Sequence, residues 1–394
     1  MKSASNMSRE APVIKHQSRK VPMLKRFLIA ISLLGCVFTT GKVAFKTEPS
    51  SPPQVASTAS DIRAYTPRFN RAKPVIAVVG ENSSTEVTDY VIPYGVLSES
   101  GVAQVFALST QEAPIQMLPA LRIEPQATVS EFDSQFPEGA DYVIVPAVVR
   151  KQDPTLLAWV NKQAEKGATI IGVCDGVWVL ANAGLLDGRK SVGHWFSFKS
   201  LESKFPETEW LRNTRYVADG NVITTTGVTA SIPISVALVE AIAGRDQAAL
   251  LAQRIGIQSW SAEHQSEPFK LRAKHIFAAA VNWLSFWSHE DIGIPINNGV
   301  DEISLALVAD IYSRTLRSKA FSLSPSDDPV TTKRGLAILP DRVQSAEKAV
   351  DRTVELQKDL PPTLSLDRTL QEIKQLYGSG SAALITLQLE YPPG

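Results

Sequence analysis

The stretch "IIGVCDGVWVLANAGLLDGR", residues 170–189, sets a cysteine between two glycines where a β-like run gives way to a helix-like run. The chain has only two cysteines, Cys36 and Cys174. Gly172-x-Cys174-x-Gly176 follows "ATIIGV" (168–173) with the spacing of a nucleophile elbow, sulfur replacing a serine hydroxyl. Such a turn is too tight for side chains beside the nucleophile, which accounts for both glycines. The residue at its apex carries strained backbone angles. A thiol there faces the unpaired N–H groups and positive dipole end of the next helix, which favours thiolate. The same N–H groups could hold an oxyanion. Taken alone, the pattern also describes a buried, inert core cysteine.

Outward from the elbow, strands alternate with helices. The apolar runs at 74–80, 103–109, 121–125, 141–147, 168–174 and 221–227 read as strands. Helices are predicted at 86–100, 128–136 (Thr128 as cap), 154–167, 175–184 and 229–243. Alternation of this kind predicts an α/β fold with a mainly parallel sheet covered on both faces. We read a flavodoxin-like three-layer sandwich over 74–256. Residues 257–290 read as a Trp-rich helical connector with a helix at 272–287, its aromatics expected in interdomain packing.

The chain then restarts as a partial second α/β unit, 291–394. "QVFALSTQEAPIQMLPALRIEPQ" (104–126) lies over "KAFSLSPSDDPVTTKRGLAILPD" (319–341) with seven identities and no gap. "TEVTDYVIPYGVL" (85–97) lies over "DEISLALVADIYS" (301–313), which sets Leu305 against Asp89. This predicts a degenerate repeat without a second elbow. Its tail reads as helices at 343–358 and 365–377 and a strand at 382–390.

Hydrophobic residues make up 44% and charged residues 20%, so a packed core is expected. A formal net charge of zero argues against a nucleic-acid partner. The five histidines show no HExxH spacing and there is no CxxC, so no metal site is expected. Neither GxGxxG nor a P-loop is present, and no cofactor is expected.

Residues 1–26 carry seven basic residues against one acid, Glu10, and 27–40 is uncharged, closed by Lys42. With residues 1–46 this reads as a signal or signal-anchor segment. "LLGC" (33–36) also resembles a lipobox, in which Cys36 would be lipidated. The expectation is attachment to the bacterial cytoplasmic membrane, with the N-terminus inside and the main domains periplasmic. Residues 47–73 read as a linker.

"VCDGVWVLANAGLLDGR", "VGHW" (192–195) and "YVADGNVITTTGVTASI" (216–232) together resemble the ThiJ/PfpI family of the class I glutamine-amidotransferase-like superfamily. The likeness is to the branch with isonitrile hydratases and the sensor-like domains of AraC-type regulators, over about 74–256. It implies roles. Cys174 matches the elbow cysteine. Asp89 matches the acid that hydrogen-bonds the thiol in many relatives, with Glu86, one helical turn away, as the fallback. His194 falls where relatives place a histidine near the pocket. Gly227 and Thr229 match the loop that closes the pocket, although Thr229 could instead be a helix cap. Asp175 departs from the family: peptidase-like members have histidine there, and isonitrile hydratase relatives threonine. A carboxylate at that position disfavours thiolate or could shuttle a proton. Relatives commonly dimerise, so a homo-oligomer is expected.

The reading that follows is a cysteine-nucleophile enzyme, hydrolase or hydratase, acting on a small electrophilic molecule. In it Asp89 or Glu86 holds the thiol proton, while His194 or Asp175 serves the product. The competing reading is a ligand-binding or redox-sensing module using Cys174.

Overall fold

The run at 75–79 is apolar on both faces, so it belongs at the centre of a covered sheet. In the computed structural model, which describes residues 62–345 and 350–392, β1 (Val75–Gly80) is buried throughout. Its alternating side chains feed two cores: Ile76 and Val78 on one face, Val75, Ala77 and Val79 on the other.

Around β1, seven strands form the main sheet among the described residues. β1 is flanked by β2 (Gln104–Ser109) and β6 (Tyr142–Val145), parallel to both. β5 (Ala127–Thr128) closes one edge beside β2. On the other side follow β7 (Thr169–Gly172), β9 (Val222–Thr225) and β8 (Tyr216–Asp219), only β8 being antiparallel. Between β2 and β5 a hairpin of β3 (Ile115–Leu118) and β4 (Arg122–Glu124) stands away from this sheet.

Helices cover both faces. α1 (Val87–Ser100) is buried from Val87 through Leu97, so it is enclosed on more than one side. It packs against α5 (Ser231–Ala243) and against α8 (Glu302–Ser313) of the C-terminal part. On the other face lie α3 (Pro154–Glu165) and α4 (Val177–Asn182), with Leu156, Trp159, Val160 and Val177 in the core. The predicted Thr128 cap forms a full capping box with Glu131 on α2 (Val129–Gln135). α6 (Arg245–Ile255) and α7 (Ala273–Leu284) follow α5.

The C-terminal part has its own four-stranded parallel sheet, ordered β14 (Arg342–Val343), β11 (Ser318–Ser324), β10 (Glu290–Pro295) and β15 (Arg352–Thr353). Its small strands β12 (Val330–Thr331) and β13 (Ala337–Ile338) join the first hairpin through an antiparallel β13–β4 pair. The two parts share this sheet and the α1–α8 contact, so they pack as one body rather than as beads on a connector. Arg334 ties them further: almost buried, it reaches Glu99 at 2.8 Å, Asp301 at 2.9 Å and Glu302 at 3.2 Å.

Several expectations are corrected. Residues 382–390 are not a strand: Leu364–Leu389 is helix α9, kinked at Gly378 with φ +86. Ser381, Leu384 and Ile385 are buried at helical spacing, and that periodicity outweighs the β-rich composition. The described residues within 343–358 contain no helix. The connector aromatics divide: Phe277, Phe286 and Trp287 are exposed by 72%, 66% and 76%, whereas Phe269 is buried and Trp260 packs against the core. Part of the supposed linker is docked, since Tyr65 N–H donates to Ala241 O at 2.8 Å and Arg71 pairs with Asp141 at 3.0 Å.

The membrane assignment is also corrected. Among the described residues no helix is long and apolar enough to cross a membrane. The run 27–40 and Cys36, on which the anchored, periplasmic topology rested, lie outside the described residues.

Candidate functional site

β7 ends at Gly172 and the chain turns at Cys174, whose φ is +53. A non-glycine residue in that region is strained and persists only where its surroundings fix it. Here Cys174 N–H donates to Thr225 Oγ1 at 3.1 Å, and Gly176 N–H to Val173 O at 2.7 Å. Val177 N–H goes to the carbonyls of Cys174 and Asp175. These bonds occupy the Cys174, Gly176 and Val177 N–H groups, while the Asp175 N–H faces the sulfur.

The thiol is correspondingly quiet. Cys174 is only 5% exposed. Burial pushes its pKa well up, and the carboxyls of Asp89, Asp175 and Glu86 push the same way, against one hydrogen bond from the Asp175 N–H. Desolvation outweighs the helix dipole because the elbow opens on a three-residue 3-10 turn and the six-residue α4, too short for a strong one. Burial and the neighbouring carboxyls thus work against the expected thiolate.

Asp89 lies in the first turn of α1, fully buried. Its Oδ2 accepts from Ala147 N–H at 3.2 Å, and its Oδ1 has no hydrogen-bond partner. Burial, then the neighbouring Glu86, hold its pKa well above the ordinary carboxyl range. Asp89 and Cys174 thus compete to stay neutral: whichever ionises first makes ionising the other harder.

Glu86 is not a spare acid, since both its oxygens are engaged. It caps α1, accepting from Asp89 N–H at 2.6 Å, and its other oxygen meets Arg314 Nη2 at 2.6 Å. Arg314 follows α8 and also holds Asp310 at 2.7 Å. Burial pushes Asp310 up to about 7, against the pull of Arg314. Neither Arg314 nor Asp310 carries a local sequence signal toward Cys174, because the α1–α8 contact alone brings them there.

An unfolded Asp ionises near ~3.9. Asp89, held protonated when folded, makes the native state bind more protons above that pH, so its contribution falls as pH rises toward the folded pKa. Asp89→Asn mimics the neutral acid. Its stability relative to the parent chain should be higher at pH 8 than at pH 5, read from urea midpoints. An equal difference at both values would mean that Asp89 is ionised in the fold.

Asp175 is turned from the sulfur toward its own partners. Ser197 Oγ donates to its Oδ2 at 2.9 Å, and Lys151 Nζ stands 3.6 Å away. His194, Gly227 and Thr229 gather instead around the end of α9. His194 Nε2 meets Gln388 O at 3.2 Å, and Thr229 Oγ1 donates to Glu390 O at 3.0 Å. Thr229 is therefore no helix cap. The Glu390 carboxylate accepts from Gly227 N–H at 2.7 Å and from Trp195 N–H at 3.3 Å, and meets His264 Nε2 at 3.0 Å. His264, Trp195 and Glu390 were not legible as one group; a strand at 382–390 would have ended elsewhere. The site residues thus fall into two sets: Cys174, Asp89, Glu86 and Asp175 at the elbow, and His194, Gly227 and Thr229 at the C-terminal segment.

A mainly parallel sheet, a strained cysteine elbow after one of its strands and a buried acid against the thiol define a flavodoxin-like α/β domain of the cysteine-elbow class. Residues 75–241 match the DJ-1/PfpI family, and the chain carries a domain of that family there. The relatives include transcriptional regulators and an enzyme. The HTH-type transcriptional regulator CdhR of Pseudomonas aeruginosa is 35% identical over 91 residues, 23% of this chain and 27% of the regulator. The isonitrile hydratase of Pseudomonas putida is 28% identical over 169 residues, 41% of this chain and 70% of the hydratase. The Drosophila melanogaster DJ-1beta structure aligns with a TM-score of 0.43 at 18% identity, over 47% of this chain and 99% of that one. The match to CdhR thus spans about a quarter of that regulator's length. The exclusion of nucleic acid is withdrawn, since relatives of this chain include HTH-type transcriptional regulators. A membrane partner is withdrawn with the anchored topology.

Proposed function

We propose that the domain is a small-molecule-binding module in which Cys174 is a guarded thiol rather than a resting nucleophile. The observation that carries this reading is the burial of Cys174 among three carboxyl groups with its neighbouring N–H groups already bonded. A nucleophile needs thiolate, and this environment favours the neutral form. A second reading, a cysteine-dependent hydrolase or hydratase, is favoured by the strained φ of Cys174 and the unpartnered Oδ1 of Asp89. Both are features that active sites hold at a cost in stability. In that reading the thiol ionises only after the site opens.

The test is iodoacetamide alkylation of the native chain against pH, resolved by peptide mass spectrometry because Cys36 is also present. The binding-module reading expects slow alkylation of Cys174 with an apparent pKa above the free value of about 8.5. Fast alkylation at neutral pH would hand the site to the enzyme reading.

We also read the C-terminal part as a degenerate copy of the opening one. In support, Asp301 caps α8 as Glu86 caps α1, and β10–α8–β11 follows the order of β1–α1–β2. The two hairpins meet through β4 and β13. The caps set Ser304, rather than Leu305, against Asp89, and the second copy lacks the acid either way.

A further inference from the structure

In open α/β sheets, ligands enter the crevice outside the carboxyl ends of the parallel strands. Here that crevice lies beyond Gly172 of β7 and Thr225 of β9, neighbours in the sheet whose ends are joined by the Cys174–Thr225 bond. The end of α9 is seated against it. Trp195 Nε1 donates to Leu387 O at 2.7 Å, and the Gln388 amide donates to Arg314 O at 3.2 Å. Between these anchors Glu390 turns its side chain inward, 2% exposed, from a left-handed backbone with φ +53. That conformation closes α9, with Tyr391 N–H donating to Thr386 O at 2.9 Å, and it turns the carboxylate toward the crevice.

Those contacts form an anion site. Two backbone N–H groups, from Trp195 and Gly227, converge on one oxygen, and His264, itself 2% exposed, meets the other. His264 is fixed by stacking on Phe269, with 5.2 Å between ring centroids and 5° between planes. Gly227 precedes the 3-10 turn that leads into α5, so the carboxylate sits at a favourable helix start. The approach at Gly227 is close: a Cβ there would lie 2.4 Å from the Glu390 Cβ.

We infer that Trp195, Gly227 and His264 form a carboxylate-binding subsite beside the Cys174 elbow, occupied by the chain's own Glu390 as an internal stand-in. The C-terminal segment is a plug, and the ligand that displaces it is a small molecule bearing a carboxylate. This rests on the binding-module reading and adds the chemical class of the ligand. Opening moves the last turn of α9 with its own buried Leu387 and Leu389, while Leu384 and Ile385 in the preceding turn hold the helix in place.

The test uses the full chain and Glu390→Ala, which empties the subsite. Sodium propionate should raise the melting temperature of Glu390→Ala saturably, as binding to the native state alone requires. Propionamide and sodium chloride at matched concentrations should not, and the parent chain should respond less than the variant. Alkylation of Cys174 by iodoacetate, relative to iodoacetamide, should rise severalfold in Glu390→Ala. No preference of the variant for propionate over propionamide overturns the subsite. A propionate preference with unchanged alkylation overturns the plug and leaves a structural clamp. If Glu390→Ala does not fold, Glu390→Ser, which also removes the carboxylate and most of the side-chain volume, takes its place. The same alkylation ratio is then read in that variant: a severalfold rise supports the plug, and an unchanged ratio overturns it. The propionate result does not depend on the state of the thiol, so its failure is separate from failure of the binding-module reading.

Discussion

Arg314→Met should lower the unfolding free energy by about 3–5 kcal/mol, the loss typical when one partner of a buried ion cluster is removed. Arg314 is almost buried and answers Glu86 at 2.6 Å and Asp310 at 2.7 Å, each from a different helix end. Methionine leaves both carboxyls buried without a cation. Part of the loss should be recovered in the double variant with Asp310→Asn, because an amide has no charge to strand. Arg314→Lys should fall between the two, since one ammonium lacks the fork that meets two carboxylates in fixed geometry. Chemical denaturation of the single and double variants gives the coupling directly. A loss below about 1 kcal/mol, as for an exposed pair, would mean that the cluster is hydrated. The same variant removes a cation that attracts the Cys174 thiolate, so alkylation of Cys174 should shift to higher pH.

Gly176→Ala is the second large effect, and its cause is purely steric. Gly176 has φ −59, open to any residue, yet a Cβ there would lie 2.1 Å from Val145 O and 2.9 Å from Pro146 O. Both are backbone atoms at the end of β6 and cannot rotate away. The elbow must move, breaking the Gly176–Val173 and Cys174–Thr225 bonds, at a cost of about 3 kcal/mol or more. Gly172→Ala should cost less, because its nearest neighbour is the Leu180 side chain at 3.0 Å, which can adjust. Denaturant midpoints of the two variants should separate clearly, and equal midpoints would show that the elbow shifts freely. Cys174 in Gly176→Ala should also lose its protection from alkylation, since the same bonds hold it in place.

Much of the architecture was written locally. The two glycines around Cys174 marked a tight turn, and the approach of Gly176 to Val145 is the physical form of that signal. Alternation of apolar runs with capped helices marked the α/β class, down to the Thr128 capping box. Elements set by short-range patterns were legible because burial on one face leaves a period in the sequence. The tail was misread because "AALITLQLE" is rich in residues that suit strands, and its helical period is fixed by the packing of Ser381, Leu384 and Ile385 where α9 meets α7 and α8.

Local pattern was enough to specify a covered parallel sheet, a cysteine at its elbow and an acid, Asp89, on the first helix. Whether that cysteine is a thiolate was decided by tertiary structure alone. A helix start and a flanking carboxylate are local features with opposite effects, but desolvation depends on what closes over the sulfur. Here a charge that acts on the sulfur comes from far along the chain: Arg314, brought in with Asp310 by the α1–α8 contact. Contacts between residues so distant in sequence carry no periodicity and no spacing. They exist only once the two halves have packed, and that packing, rather than the Gly-x-Cys-x-Gly motif, fixes the state of the site.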